Sequence, residues 1–198
     1  MIPFPVYKEP KVHFTDDLSF LKNIKEETAF DIEATGLKPH AVGHRIVCCA
    51  VAVSVDECYV FLIPKSRKER EPFIEYLADG NIKKVAHNMK YELAWCKEKL
   101  GVDVQGLVHD TMIMAHILDN REGITSLAFQ TYIHFGIVDF KDETQPYLSA
   151  DKKNANSINR IMELMELPGG SAKLMGRCAD DAVFELRLKK LQDKIINT

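Results

Sequence analysis

Apolar positions change their period along this chain, and the changes divide it into elements. From Thr28 to Ile63, Val, Ile, Cys and Phe cluster in short runs of the kind that strands use. Three strands are predicted, over Thr28–Ala34, Arg45–Ser54 and Glu57–Ile63, with Val55-Asp56 splitting the last two into a hairpin. Ahead of them, Thr15-Asp16-Asp17 caps a short helix to about Lys25, and the first ten residues, with three prolines, read as a poorly ordered lead-in or an edge arm. Lys65 to Arg70 is a charged turn into a helix over Pro72–Ala78. Lys83–His87 is then a short strand, Asn88 caps a helix to about Leu100, and Val104–Val108 is a strand ending at His109-Asp110-Thr111. Strand, helix, strand implies a right-handed parallel crossover. Helices follow over Thr111–Leu118 and Ser126–Phe135. The polar stretch Phe140–Asn156 has no period and reads as a loop. Helices over Ser157–Glu166 and Ser171–Ile195, separated by Pro168-Gly169-Gly170, close the chain. An antiparallel meander joined to a parallel crossover, with helices around it, is a mixed-sheet α/β domain. With no repeat or linker, residues 1–198 read as one domain.

Composition adds bounds. The 198 residues are 46% hydrophobic and 28% charged, enough for one sizeable core. A formal net charge of −3 means that no global basic field points to nucleic acid. An acidic metal site lowers that figure while local basic stretches still hold phosphate. Cys48, Cys49, Cys58, Cys96 and Cys178 form no Cys-x-x-Cys pair, so they read as small buried hydrophobes in a reducing compartment. Met1-Ile2-Pro3-Phe4-Pro5 is not a signal peptide, and no apolar run reaches the length of a membrane span. The expectation is an intracellular, cytoplasmic protein.

Three short segments carry the chemistry. In Phe30-Asp31-Ile32-Glu33, residues i and i+2 of a strand share a face, so Asp31 and Glu33 present two acids together. Unpaired charge on a mostly apolar strand is costly. A divalent ion that prefers carboxylate oxygen, Mg²⁺ or Mn²⁺, answers the need; a half-exposed edge strand is the alternative. On the last helix, Leu174, Cys178, Ala182, Val183 and Leu186 form a buried stripe. At about 100° per residue Asp181 falls at its margin, while Asp180 points to solvent. Asp181 either joins a site or makes an exposed i,i+4 ion pair with Arg177, worth about 0.3–0.5 kcal/mol, with Glu185 on a nearby face. In His87-Asn88-Met89-Lys90-Tyr91-Glu92, Asn88 and Glu92 stand one turn apart near the C-terminal edge of the sheet, where open α/β sheets place ligands. A helix cap and a dipole-stabilised first-turn acid would look the same.

Phe-Asp-Ile-Glu-Ala-Thr-Gly-Leu at 30–37, His-Asn-Met-Lys-Tyr-Glu at 87–92 and Arg-Cys-Ala-Asp-Asp-Ala at 177–182 together resemble the three motifs of the DEDD superfamily of 3′→5′ exonucleases. The likeness is closest to the proofreading exonuclease domain of family A DNA polymerases. Asp110–Leu118 and Ser126-Leu127-Ala128 resemble that family too, so the resemblance runs from about Ala29 to Lys190. It implies a ribonuclease H-like fold and two divalent ions, Mg²⁺ or Mn²⁺, between Asp31, Glu33, Glu92 and Asp181, with Asp31 bridging. It also implies that Leu37 wedges against a terminal base, that the backbone around Ala34 approaches the 3′ end, and that Asn88 and Tyr91 line the strand path. The implied partner is a DNA 3′ end, single-stranded, served alongside a polymerase region or a replication partner.

Two positions depart from the family. Its second motif ends in Asp where this chain has Glu92, one methylene longer. Its third motif carries a water-orienting Tyr where this chain has Arg177, which cannot act as a base but can bind phosphate or stabilise its developing charge. His87, His109 and His116 are assigned no catalytic role. Lys65, Arg67, Lys68, Lys152 and Lys153 either guide a phosphate backbone or are solvated loop residues. The leading expectation is a metal-dependent 3′→5′ exonuclease on DNA. Its rivals are a catalytically silent nucleic-acid-binding module of the same fold, for which Glu92 and Arg177 argue, and an RNA-trimming enzyme of the ribonuclease D type. No polymerase region follows Thr198 in this sequence, so a stand-alone nuclease and a proofreading domain of a longer chain are both expected forms.

Overall fold

The computed structural model describes residues 6–137, 143–150 and 156–197. Among them, strands β1 (Lys11–Phe14), β2 (Thr28–Ala34), β3 (Ile46–Ser54), β4 (Glu57–Leu62), β5 (Lys84–Ala86) and β6 (Leu107–Asp110) form one sheet in the order β1-β4-β3-β2-β5-β6. β2, β3 and β4 are the antiparallel meander, and β5 and β6 add parallel to β2 and to each other. The helices are α1 (Arg67–Ala78), α2 (Met89–Trp95), α3 (Thr111–Leu118), α4 (Leu127–Phe135), α5 (Gln145–Leu148), α6 (Ile161–Glu166) and α7 (Gly170–Ile196). This is the mixed-sheet α/β architecture that the meander and crossover predict, and it matches the ribonuclease H-like fold that the resemblance implies. No helix among the described residues is long and apolar enough to cross a membrane. All five cysteines are buried and unbridged.

Strand alternation divides β2 between two cores. Phe30, Ile32 and Ala34 pack on one face with Phe61, Phe73, Leu77 and Trp95. Ala29 packs on the other with Ala50, Ala52 and the buried stripe of α7. Asp31 and Glu33 alternate onto that second face and are only partly buried. Ala50 and Ala52 from β3, with Cys178, Ala179 and Ala182 from α7, are small enough to let a long helix lie close to the sheet. The Cys178 thiol reaches the backbone carbonyl of Asp31, 3.5 Å away. The predicted stripe of Leu174, Cys178, Ala182, Val183 and Leu186 is buried as expected.

Several boundaries differ from the sequence reading, each for a local reason. β1 follows the lead-in and pairs parallel with β4 at the sheet edge; its four residues are too few for a clear period. Residues 1–5 lie outside the described ones. The helix predicted over Pro72–Ala78 begins at Arg67, because Ser66 Oγ accepts the Glu69 N–H, so the charged turn is its first turn. The strand predicted over Val104–Val108 is displaced to Leu107–Asp110. Gly106 precedes it at φ 72°, so close to the Ile82 carbonyl that a side chain there would clash. α2 gives way at Cys96 to a wider π-helical turn that ends at Leu100 before Gly101. Ser157 is left-handed (φ 52°), so the helix expected from Ser157 starts only at Ile161. The predicted 140–156 loop contains α5, whose Tyr147 ring lies 5.2 Å beneath the Arg160 guanidinium. Residues 138–142 and 151–155, including Lys152 and Lys153, are outside the described residues.

The segment that leaves β2 is held on both sides. Gly36 bridges to Ile158, the Leu37 N–H donates to the Ser157 carbonyl (3.2 Å), and Asn159 Nδ2 donates to the Ala34 carbonyl (2.8 Å). From the other side, the Tyr91 hydroxyl donates to the Gly36 carbonyl at 2.9 Å. A Cβ at Gly36 would stand 2.4 Å from both the His44 ring and the Ser157 carbonyl oxygen. Gly36→Ala is therefore expected to lower stability by about 1–3 kcal/mol, the usual cost of overpacking. Urea unfolding measures this; a loss below about 0.5 kcal/mol would mean that the segment shifts freely.

Candidate active site

α7 and β2 supply the centre of the site. One turn beyond Cys178, Asp181 projects over the face that carries Asp31 and Glu33. Carboxylate oxygens of Asp31, Glu33 and Asp181 lie within 4.8 Å of one another. Oxygens about 2.1 Å from a shared Mg²⁺ stand at most about 4.2 Å apart, so these three side chains need only small adjustments to share one. They line a cleft of about 430 Å³ whose wall also includes Glu92, Arg177, Leu37 and Tyr91.

Glu92 is outside that triad. It is 2% exposed on the first turn of α2, and its Oε2 has no hydrogen-bond partner among the described residues. The expected ion pair on α7 does form, with Arg177 Nε donating to Asp181 Oδ2 at 3.0 Å. It is not the exposed pair of the alternative reading, since only 14% and 12% of the two side chains are exposed. Asp181 thus takes part both in the ion pair and in the cluster. Asp180, as expected, is on the exposed side of the helix.

The other anticipated residues are spread around the rim. Leu37 is 58% exposed at the edge of the cleft, and Asn88 and Tyr91 line it. Ala34 is buried, its carbonyl accepts Asn159, and it does not line the cleft. Lys65, Arg67 and Lys68 stand at the start of α1 and do not line it either. Asn88 stands at the N-cap of α2, as expected, but its side chain makes no cap hydrogen bond. It adopts a left-handed conformation (φ 65°) with its side chain free of the helix end, and Asp110 supplies the cap by accepting the N–H groups of Asn88 (3.2 Å) and Met89 (2.8 Å). The same carboxylate caps α3 through Met112 and Ile113. One acid at the end of β6 therefore fixes two helix N-termini at the mouth of the site, as the helix dipole favours.

The sequence places Glu185 on a face near Asp181 and Arg177 but gives it no role in the site. It lies one turn past Asp181 on α7, is 1% exposed, and its Oε1 accepts the His87 backbone N–H at 3.0 Å. Spacing was the available clue, because Arg177, Asp181 and Glu185 recur every four residues along one face. Burial, and then the nearby charges of Glu185, Asp181, Glu33 and Glu92, push the Asp31 carboxyl well above its ordinary value. Glu92 is pushed up by burial and then by Asp110 and Glu33, and Glu185 by burial and then by Glu92 and Asp181. Burial also lowers His87 to about 4, which keeps its ring neutral; Nδ1 pairs with Thr111 Oγ1 at 2.9 Å.

A profile of 3′-5′ exonucleases matches residues 9–162, most of the chain. The chain belongs to this 3′→5′ exonuclease family. Its fold is that of the DEDD superfamily, related to the proofreading domains of family A DNA polymerases. The profile ends before α7, so Arg177 and Asp181 join the pattern through the tertiary structure. DNA polymerase I of Chloroflexus aurantiacus is 29% identical over 138 residues, covering 63% of this chain and 14% of that much longer protein. Among solved structures, Brucella melitensis NrnC with bound Mg²⁺ superposes with a TM-score of 0.69 at 18% identity, over 96% of this chain and 83% of that one. The catalytic core of RRP6 from Trypanosoma brucei gives 0.66 at 18% identity, over 98% and 50%. This exonuclease-family fold carries a cluster of acids with the donor set of a divalent-metal site.

The raised acids make a pH prediction. Unfolded carboxyls titrate near 4, so the native state holds extra protons above that and loses stability as it releases them on rising pH. His87 acts in the opposite sense, costing stability as pH falls from about 6.5 through about 4. Above pH 6.5 its contribution is complete. In EDTA, once the opposite contribution of His87 is complete, the melting temperature is expected to fall as rising pH strips the protons that the clustered acids hold above the ordinary carboxyl range, and Mn²⁺ to reverse the fall. A flat profile in chelator would show that the clustered acids ionise normally.

Proposed function

We propose that this chain hydrolyses phosphodiester bonds from the 3′ end of single-stranded DNA, using divalent cations held by Asp31, Glu33, Asp181 and Glu92. The observation that carries this reading is the convergence of three carboxylates from β2 and α7 within 4.8 Å, at the wall of a cleft of about 430 Å³. Mg²⁺ or Mn²⁺ bound there supplies an activated water and neutralises charge on the attacked phosphate and on the leaving 3′ oxygen. NrnC, with a similar fold, has been solved with Mg²⁺ bound, which supports the choice of ion.

The protein groups have distinct tasks in this reading. Leu37 offers an apolar wedge to the terminal base, while Tyr91 braces the backbone beneath it through Gly36. Stacking and phosphate contact accept a single strand with little sequence preference. Arg177 holds Asp181 in the cluster from the position where the family carries its water-orienting Tyr. A neutral His87 adds no positive charge to compete for the acids. A polymerase region or a replication partner would supply the DNA end.

One observation favours a second reading, a module that binds nucleic acid without cutting it. Arg177 already neutralises part of Asp181, an acid that the family uses for metal. Incubating a 5′-labelled single-stranded oligonucleotide with the chain separates the two. A ladder shortening from the 3′ end is expected with Mg²⁺ or Mn²⁺, lost in EDTA and reduced roughly a thousandfold in Asp31→Ala, the scale of losing a main electrostatic stabiliser. Binding with no ladder would leave the silent module, and a ladder on RNA alone would move the substrate to the ribonuclease D type. Arg177→Tyr, which restores the family's water-orienting group, is expected to keep or raise the rate. A collapse of the rate would mean that the guanidinium has a dedicated role on the phosphate.

A further inference from the structure

Glu185 has one unexplained oxygen. Its Oε1 accepts the His87 N–H, but its Oε2 is buried without any hydrogen-bond partner among the described residues. An ionised carboxylate left like this is very costly, and cores rarely retain one without a compensating cation. Arg177, the one guanidinium lining the cleft among the described residues, is two helical turns away on α7 and engages Asp181 instead.

The surroundings of that oxygen form a compartment of about 310 Å³, continuous with the main cleft through their shared residues. Asp31, Asp181, Glu185 and His87 wall it, whereas Glu33 and Glu92 do not. Asp181 and Glu185 are four residues apart on one helix, so their side chains are neighbours. Asp31 faces them from β2. Three acids from two rigid elements therefore surround a space that the Asp31–Glu33–Asp181 triad only borders.

We propose that Glu185 is a metal ligand, holding with Asp31 and Asp181 a divalent cation in this second compartment. The inference rests on the divalent-ion reading of the site and deepens it. The resemblance counts the acid at position 92 among the four that share two ions. In this chain both Glu92 and Glu185 are outside the 4.8 Å oxygen cluster, but Glu185, beside Asp181 on α7, walls the second compartment and Glu92 does not. Asp31 then bridges toward Glu185, and Glu92 is the weaker contributor.

Mn²⁺ binding to the metal-stripped full chain, followed by calorimetric titration and by the electron paramagnetic resonance signal of free Mn²⁺, tests this without reference to cleavage. The wild type is expected to take up two ions. Glu185→Gln keeps an oxygen for the His87 N–H but not the charge, and is expected to lose one ion or bind it at least tenfold more weakly. Glu92→Gln is expected to change the isotherm less. A Glu185→Gln isotherm matching the wild type overturns the proposal, and a lower melting temperature in chelator with unchanged Mn²⁺ uptake would assign Glu185 a purely structural role. If the Gln variant does not fold, Glu185→Asp, with the charge drawn back by one methylene, is read by the same criterion. Should the wild type bind no Mn²⁺, the metal-dependent function fails with the inference; should it bind two ions with Glu185→Gln unaffected, only the inference fails.

Discussion

Carboxylates confined between a helix and a sheet repel one another and lose hydration together, and this architecture depends on that opposition. α7 cannot retreat from β2, because Cys178, Ala179 and Ala182 pack against Ala29, Ala50 and Ala52 in one apolar layer. Strand alternation cannot turn Asp31 and Glu33 away without turning Phe30 and Ile32 out of the opposite core. The apolar packing thus holds the acids where their charges are least comfortable. Arg177 relieves part of this, and protons or divalent cations must relieve the rest.

The same packing gives the centre its rigidity and leaves the rim to shorter connections. Neither β2 nor α7 can adjust without disturbing a core, so the oxygens of Asp31, Glu33 and Asp181 are preorganised. Around them, backbone hydrogen bonds do the positioning. Asp110 sets the starts of α2 and α3, while Asn159 and Tyr91 hold the strand exit that carries Leu37. His87 joins the two regions, since its amide reaches Glu185 and its ring reaches Thr111. The acid cluster is therefore built on helix and strand, and the rim of the cleft on short connections.

Much of this was legible along the chain. The period-2 runs of β2, β3 and β4 marked the meander, and the stripe from Leu174 to Leu186 marked the face that α7 buries. Short or capped features were harder to read. β1 and α5, four residues each, are too brief to show a period. The start of α1 depended on the Ser66 cap, and the displaced β6 on the left-handed Gly106. Asn88 was read as a cap because Asn commonly caps helices, and it stands at that position, but a carboxylate from another strand makes the cap hydrogen bond.

Taken by itself, the sequence determined which residues alternate, which recur at helical spacing and hence which charged side chains stand near one another on one element: Asp31 with Glu33, and Arg177 with Asp181 and Glu185. Those relations follow from backbone geometry within one element, so local order is enough to read them. Only the tertiary structure decided that the two faces meet, that Glu92 is outside the closest oxygen cluster, and that one oxygen of Glu185 is buried without a hydrogen bond. Such facts depend on distances between elements far apart in the chain, which are set by how closely small side chains let α7 approach β2.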